Sequence, residues 1–168
     1  MVVMFDYKDY EDGEDELLGI EELEQTLENL TPELYIKETK SSDVVLVELG
    51  TDSVAVANKI SKTPTKIISR VVPINTVVGT SPSSIIKKIK KLSSEITQAN
   101  DTFLVKCYEE NKNNIKCQEI KKQVINELND MNLKFNETNP KWIVYIEIIG
   151  ENTGLNILKS SDFNEKFN

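Results

Sequence analysis

Apolar residues recur at steps of three and four at Leu17, Ile20, Leu23, Leu27 and Leu30, which places them on one face of a helix. Ahead of it, Val2 to Tyr7 is a short apolar and aromatic run with the character of a strand. Thr31-Pro32 ends the helix, because the residue before a proline avoids helical geometry. Leu34 to Glu38 and Val44 to Leu49 read as two strands, joined as a hairpin through the polar loop Lys40 to Asp43. Thr51 or Asp52 can cap a short helix carrying Val54, Ala57 and Ile60, and Lys66 to Val72 is strand-like again.

The order so far is β-α-β-β-α-β, the split pattern of a ferredoxin-like domain. A break follows in GTSPS, Gly79 to Ser83, where Ser81-Pro82 suits a cap and a first helical position. The helix beyond carries Ile85, Ile86, Ile89, Leu92 and Ile96 on one face, with Lys87, Lys88, Lys90 and Lys91 on its flanks and opposite side. Thr102 to Tyr108 is a strand with Phe103, Val105 and Cys107 on one face, and a second helix has the stripe Ile120, Val124, Leu128 and Met131. After the Asn139-Pro140 turn, Trp142 to Ile149 is apolar except for Glu147; the chain breaks at Gly150 and ends its regular structure with a strand over Thr153 to Lys159. The expected fold is α/β (α+β): a ferredoxin-like domain over 1–78, an α/β domain over 79–161 and a loose tail over 162–168.

Charge sharpens that division. Through Lys66 the chain has 16 acidic and 6 basic residues, a balance of −10, whereas the remainder has 12 acidic and 14 basic, a balance of +2. The first part repels nucleic acid and the second does not, which suggests two domains with different tasks. No apolar run approaches the roughly 20 residues of a membrane helix, and the acidic N-terminus lacks the basic start of a secretion signal, so a cytoplasmic protein without a membrane partner is expected. In that compartment Cys107 and Cys117 are expected as two free thiols. Histidine is absent, which removes His-based acid/base chemistry and nearly every familiar zinc site. There is no glycine loop of the kind that cradles phosphates. The expectation is therefore no catalytic residue, no metal and no cofactor.

The second part resembles a THUMP domain, the RNA-binding module of several tRNA-modification proteins. The resemblance rests on the strand start TFLVKC, Thr102 to Cys107, on the helix after it, and on NPKWIVYIEIIG, Asn139 to Gly150. The small ferredoxin-like unit ahead of it fits the same family, with Ile68 to Ile74 resembling its junction. Lys141 stands where an acid is common in the family. The resemblance is nearest to stand-alone members that assist cytidine acetylation of tRNA. It implies tRNA and a separate modifying enzyme, an acetyltransferase, as partners.

Several residues follow as candidates. Lys87, Lys88, Lys90 and Lys91, with no acid between Pro82 and Glu95, form the strongest basic signal, joined by Lys106, Lys121 and Lys122. A lysine-rich helix face is in itself commonly just solvated, and the resemblance tips it toward RNA. Arg70, the single arginine, can contact a phosphate or a base, or tie the two domains together. Asn139 and Lys141 lie at the turn that the resemblance sets beside the RNA. Glu147, alone in an apolar strand, is expected to pair with a base such as Lys106; an enzyme centred on Glu147 is the competing reading, as is a protein-interaction module using the acidic half.

Overall fold

A computed structural model of the chain describes residues 1–7, 15–28, 34–39, 43–109 and 115–163. The expected stripe position Leu30, the Thr31-Pro32 stop, most of the 40–43 hairpin loop and the tail beyond Phe163 lie outside the described residues. The chain divides into two units, Met1–Ile74 and Asn75–Phe163, each with its own sheet.

The first unit runs β1 (Val2–Phe5), α1 (Asp15–Leu27), β2 (Leu34–Glu38), β3 (Val44–Leu49), α2 (Ser53–Lys62) and β4 (Ile68–Val72). Its sheet has the order β2-β3-β1-β4 and every pairing is antiparallel, the topology of a ferredoxin-like fold. The Asp52 carboxylate accepts the Val54 N–H and caps α2 as expected. Two details show how α1 is seated. A Cβ at Gly19 would meet the Tyr7 hydroxyl at 2.5 Å and the Phe5 ring at 3.0 Å, so a helix-weakening glycine is the residue that lets α1 lie against β1. The Glu22 carboxylate accepts three successive backbone N–H groups, those of Lys66, Ile67 and Ile68, at 2.6, 2.9 and 2.9 Å. Leu23 and Leu27 are buried, but Leu17 at the head of the expected stripe is exposed.

The second unit runs β5 (Thr76–Gly79), α3 (Pro82–Ile96), β6 (Thr102–Glu109), α4 (Ile115–Asp130), β7 (Lys134–Phe135), β8 (Trp142–Ile149), β9 (Asn152–Lys159) and a single 3-10 turn at Ser160–Asp162. Its sheet has the order β5-β9-β8-β6-β7. β6 is parallel to β7 and β8, while β9 is antiparallel to β8 and β5. β8 is thus the central strand and is buried from Trp142 through Ile148, as its sequence requires. Gly150, at φ 57°, makes the tight reversal into β9. One face of the sheet carries Phe103, Val105, Trp142, Val144, Ile146, Ile148, Leu155 and Ile157 against Ile85 and Ile89 of α3 and Ile120, Val124 and Leu128 of α4.

Three expectations change. The division falls between Ile74 and Asn75 rather than after residue 78, because Thr76–Gly79 forms an edge strand on β9. The tail does not begin loose at 162: Asp162 closes the 3-10 turn, and Phe163 packs on Tyr145 with ring centroids 6.4 Å apart. Cys107 and Cys117 are not free thiols but a disulfide, with Cα atoms 5.5 Å apart. The compartment alone favours thiols, but β6 and the first turn of α4 bring the two residues within bridging distance.

The bridge closes a loop of about ten residues, and in the chain-entropy account it contributes about 3 kcal/mol. A reductant should lower the urea midpoint accordingly. A midpoint unmoved after alkylation has captured both thiols would show that the bridge adds nothing to stability.

Candidate nucleic-acid interface

α3 is built to present charge. Ser81 caps it by accepting the Ser84 N–H, and Pro82 opens its first turn. Ile85, Ile89 and Ser93, spaced by four, are buried against the sheet and α4. At about 100° per residue, Lys87 and Lys91 then fall on the opposite side, and both are exposed. They stand one turn apart on the outward ridge, and neither has an ion-pair partner among the described residues. Lys88 lies on one flank of the ridge, half-buried. Lys90 lies on the other flank, where its Nζ is ion-paired with the Glu127 carboxylate of α4. Among the described residues Lys90 is therefore the one lysine of the run with an ion-paired acid, supplied from 37 residues away.

The other candidates separate. Lys122 is exposed on α4, and Lys121 is half-buried on the flank of α4 turned away from Glu127. Lys106 does not join the helical surface. Phe103 and Val105 face α3 and α4, so alternation puts Lys106 on the opposite face of the sheet. There its Nζ lies 4.3 Å from the centre of the Phe163 ring. Tyr108 and Tyr145, stacked at 5.4 Å, lie on the same face. Glu147 is fully buried on that face, opposite Tyr108 on one side and Gly154 on the other; Lys106 stands opposite Tyr145. Arg70 belongs to the first unit, where its guanidinium donates to the Met4 sulfur at 3.3 Å.

Asn139 and Lys141 sit at the end of the sheet where β6 and β8 begin. The Asn139 carbonyl accepts the Thr102 hydroxyl at 3.3 Å, and the Lys141 N–H donates to that same hydroxyl oxygen at 2.9 Å. The Lys141 ammonium is held by Asp101 at 2.8 Å, so it arrives at this edge already paired. Asp101 also accepts the Trp142 indole N–H at 2.8 Å and the Gln98 N–H at 3.0 Å. The Lys141 ammonium, then the indole and the backbone N–H, lower its pKa from 3.8 to about 2. This clamp is the feature that sequence reading missed; Asp101 immediately before a strand, with Lys141-Trp142 immediately before its neighbour, was the signal for it. Among the described residues no group of three or more His, Cys, Asp or Glu side chains is placed to hold a metal ion. No described helix is long and apolar enough to cross a membrane.

The second unit is thus an α/β unit whose α3 carries two exposed lysines one turn apart on its outward side. Residues 80–158 match the family model of the THUMP domain, and the chain carries a THUMP domain over that span. This makes the second unit an RNA-binding module of the kind found in tRNA modification. None of the curated proteins matches the chain. Among solved structures, PH1313 from Pyrococcus horikoshii Ot3 is similar at 20% identity and a TM-score of 0.64, over 94% of this chain and 55% of that one. A 4-thiouridine synthetase in complex with RNA and ATP is similar at 16% identity and a TM-score of 0.57, over 94% and 40%. TrmN from Thermus thermophilus is similar at 15% identity and a TM-score of 0.50, over 84% and 41%. At these identities the likeness is one of fold, and the chain spans about half the length of these structures or less.

Asp101→Ala leaves the buried indole N–H unpaired and should cost about 1–3 kcal/mol of stability, read from the fluorescence of the only tryptophan. The folded-state pKa lies below the unfolded one, so the wild-type advantage is complete above about pH 4 and is lost as pH falls through about 2. An advantage that stays constant from pH 5 to pH 2 would contradict the ionised clamp.

Proposed function

We propose that the chain holds tRNA through its second unit and presents it to a modifying enzyme on a separate polypeptide, a cytidine acetyltransferase. The observation that carries this reading is the outward Lys87/Lys91 ridge inside a THUMP domain. Two ammonium groups without acidic partners among the described residues, one helical turn apart, attract phosphates as point charges and leave base identity unread. Lys88, and Lys122 from α4, extend the positive surface. The acetyltransferase part rests on the resemblance to stand-alone THUMP proteins, which the motifs Thr102–Cys107 and Asn139–Gly150 do not distinguish from the rest of the family. In this reading the chain is a cytoplasmic adaptor and supplies no catalytic residue; Glu147, buried between Tyr108 and Gly154, supports the sheet.

Binding should be governed by counterion release. Engagement of roughly 3 to 5 phosphates gives a log-log salt slope of about −2 to −4. Replacing Lys87 and Lys91 with Gln should weaken binding to all tRNAs alike and flatten the slope by about one unit per lost contact. The same change at Lys59 and Lys62 of α2 should do little. An unchanged slope in a folded Lys87/Lys91 variant would remove α3 from the RNA surface.

The adaptor role has its own test. The purified chain with acetyl-CoA should leave tRNA unacetylated and should raise the rate of a separate acetyltransferase on tRNA. Acetylation by the chain alone would favour an active site near Glu147. A partner enzyme that co-purifies after nuclease treatment without any effect of tRNA would favour a protein-interaction module instead.

A further inference from the structure

We infer that Glu127 is a built-in counter-charge that withholds Lys90 from the RNA and so sets how tightly the α3 ridge holds it. The inference rests on the RNA-binding reading of that ridge and names a residue on a different helix that adjusts it. Lys87, Lys88, Lys90 and Lys91 are adjacent in sequence, yet only Lys90 is met by a carboxylate among the described residues. The reason is geometric. Ile86 and Ile89 turn the Lys90 flank of α3 toward α4, where Val124 and Leu128 bury their side chains and Glu127 stands between them at the rim.

The pair is not sealed in the core. The Lys90 and Glu127 side chains are 43% and 40% exposed. An ammonium this open lies within reach of a bound polyanion beside the ridge, but it already has an anion. Binding a phosphate there requires displacing Glu127 or sharing Lys90 with it, so the pair adds little counterion release when RNA arrives. Removing the carboxylate charge while keeping its shape frees one ammonium beside the Lys87/Lys91 ridge. A purely structural staple between α3 and α4 predicts something else: a change in stability with no change in how RNA binding depends on salt.

The test uses the full chain and unfractionated tRNA, with affinity measured across salt. Glu127→Gln should tighten binding roughly fourfold near 0.15 M salt and steepen the log-log slope by about one unit. Lys90→Gln in the wild-type background should leave the slope unchanged, and in the Glu127→Gln background should return it to the wild-type value. Glu119→Gln, an exposed acid two turns earlier on α4, makes the same change in net charge and should give a smaller gain. Three outcomes overturn the inference: a Glu127→Gln slope equal to wild type, a Glu119→Gln gain as large as that of Glu127→Gln, or a Lys90→Gln slope flattened as much as that of Lys87→Gln. Wild-type binding with those results leaves the RNA-binding reading standing. Absence of salt-dependent tRNA binding by the wild type overturns both.

Discussion

Everything in the second unit follows from β8. A strand reading WIVYIEII has almost nothing to offer water on either side, so it is stable only in the middle of a sheet with both faces covered. Parallel pairing with β6 and antiparallel pairing with β9 give it two neighbours and satisfy its backbone. A parallel neighbour cannot be reached by a tight turn and needs a long connection, and α4 is that connection between β6 and the β7–β8 segment. α3 fills the rest of the same face. The helical layer that carries the lysines exists because an apolar strand requires cover, whatever the lysines then do.

The direction in which the lysines point is a consequence of the same packing. Ile85 and Ile89 are both essentially inaccessible to solvent, so α3 has no freedom to rotate about its axis. Lys87 and Lys91 are fixed outward by their distance in sequence from those two isoleucines. The like-charge cost of two lysines at i and i+4 is a few tenths of a kcal/mol, small against the burial that sets the helix orientation. The charged ridge is thus a cheap addition to a helix held by its other face. In the same unit, Asp101 ties the starts of β6 and β8 together through Lys141 and Trp142, beside the Asn139-Pro140 turn.

Much of this fold is legible in the sequence because most elements are periodic. α3, with its cap and its proline, and the strands Leu34–Glu38, Val44–Leu49 and Trp142–Ile149 are read directly from spacing and punctuation. β5 and β7 escape because each is a short edge strand whose only stabilising pairing is with residues distant in the chain. The disulfide escapes for a related reason: two cysteines ten residues apart are brought together by the sheet-to-helix geometry, which spacing alone does not encode. The Lys90–Glu127 pair spans two helices and has no local signature either. The placement of Lys106 is different. Phe103, Val105 and Cys107 on one face already dictate that Lys106 is on the other, so grouping it with the helix lysines contradicted information present in the sequence.

The chemistry of the ridge limits what it can discriminate. The chain has no histidine and a single arginine, and that arginine lies on β4 of the first unit with its guanidinium on Met4. The second unit consequently has no planar donor fork with which to read a base edge or grip a phosphate bidentately. Its large aromatic residues are equally unavailable beside the ridge: Trp142 is buried under the helices, while Tyr108, Tyr145 and Phe163 cluster on the opposite face of the sheet. Without forks or stacking platforms, a lysine surface responds to where phosphates are, not to which bases they join. In the proposed reading α3 meets RNA through the backbone, and any preference among RNAs of similar shape originates in contacts away from this helix.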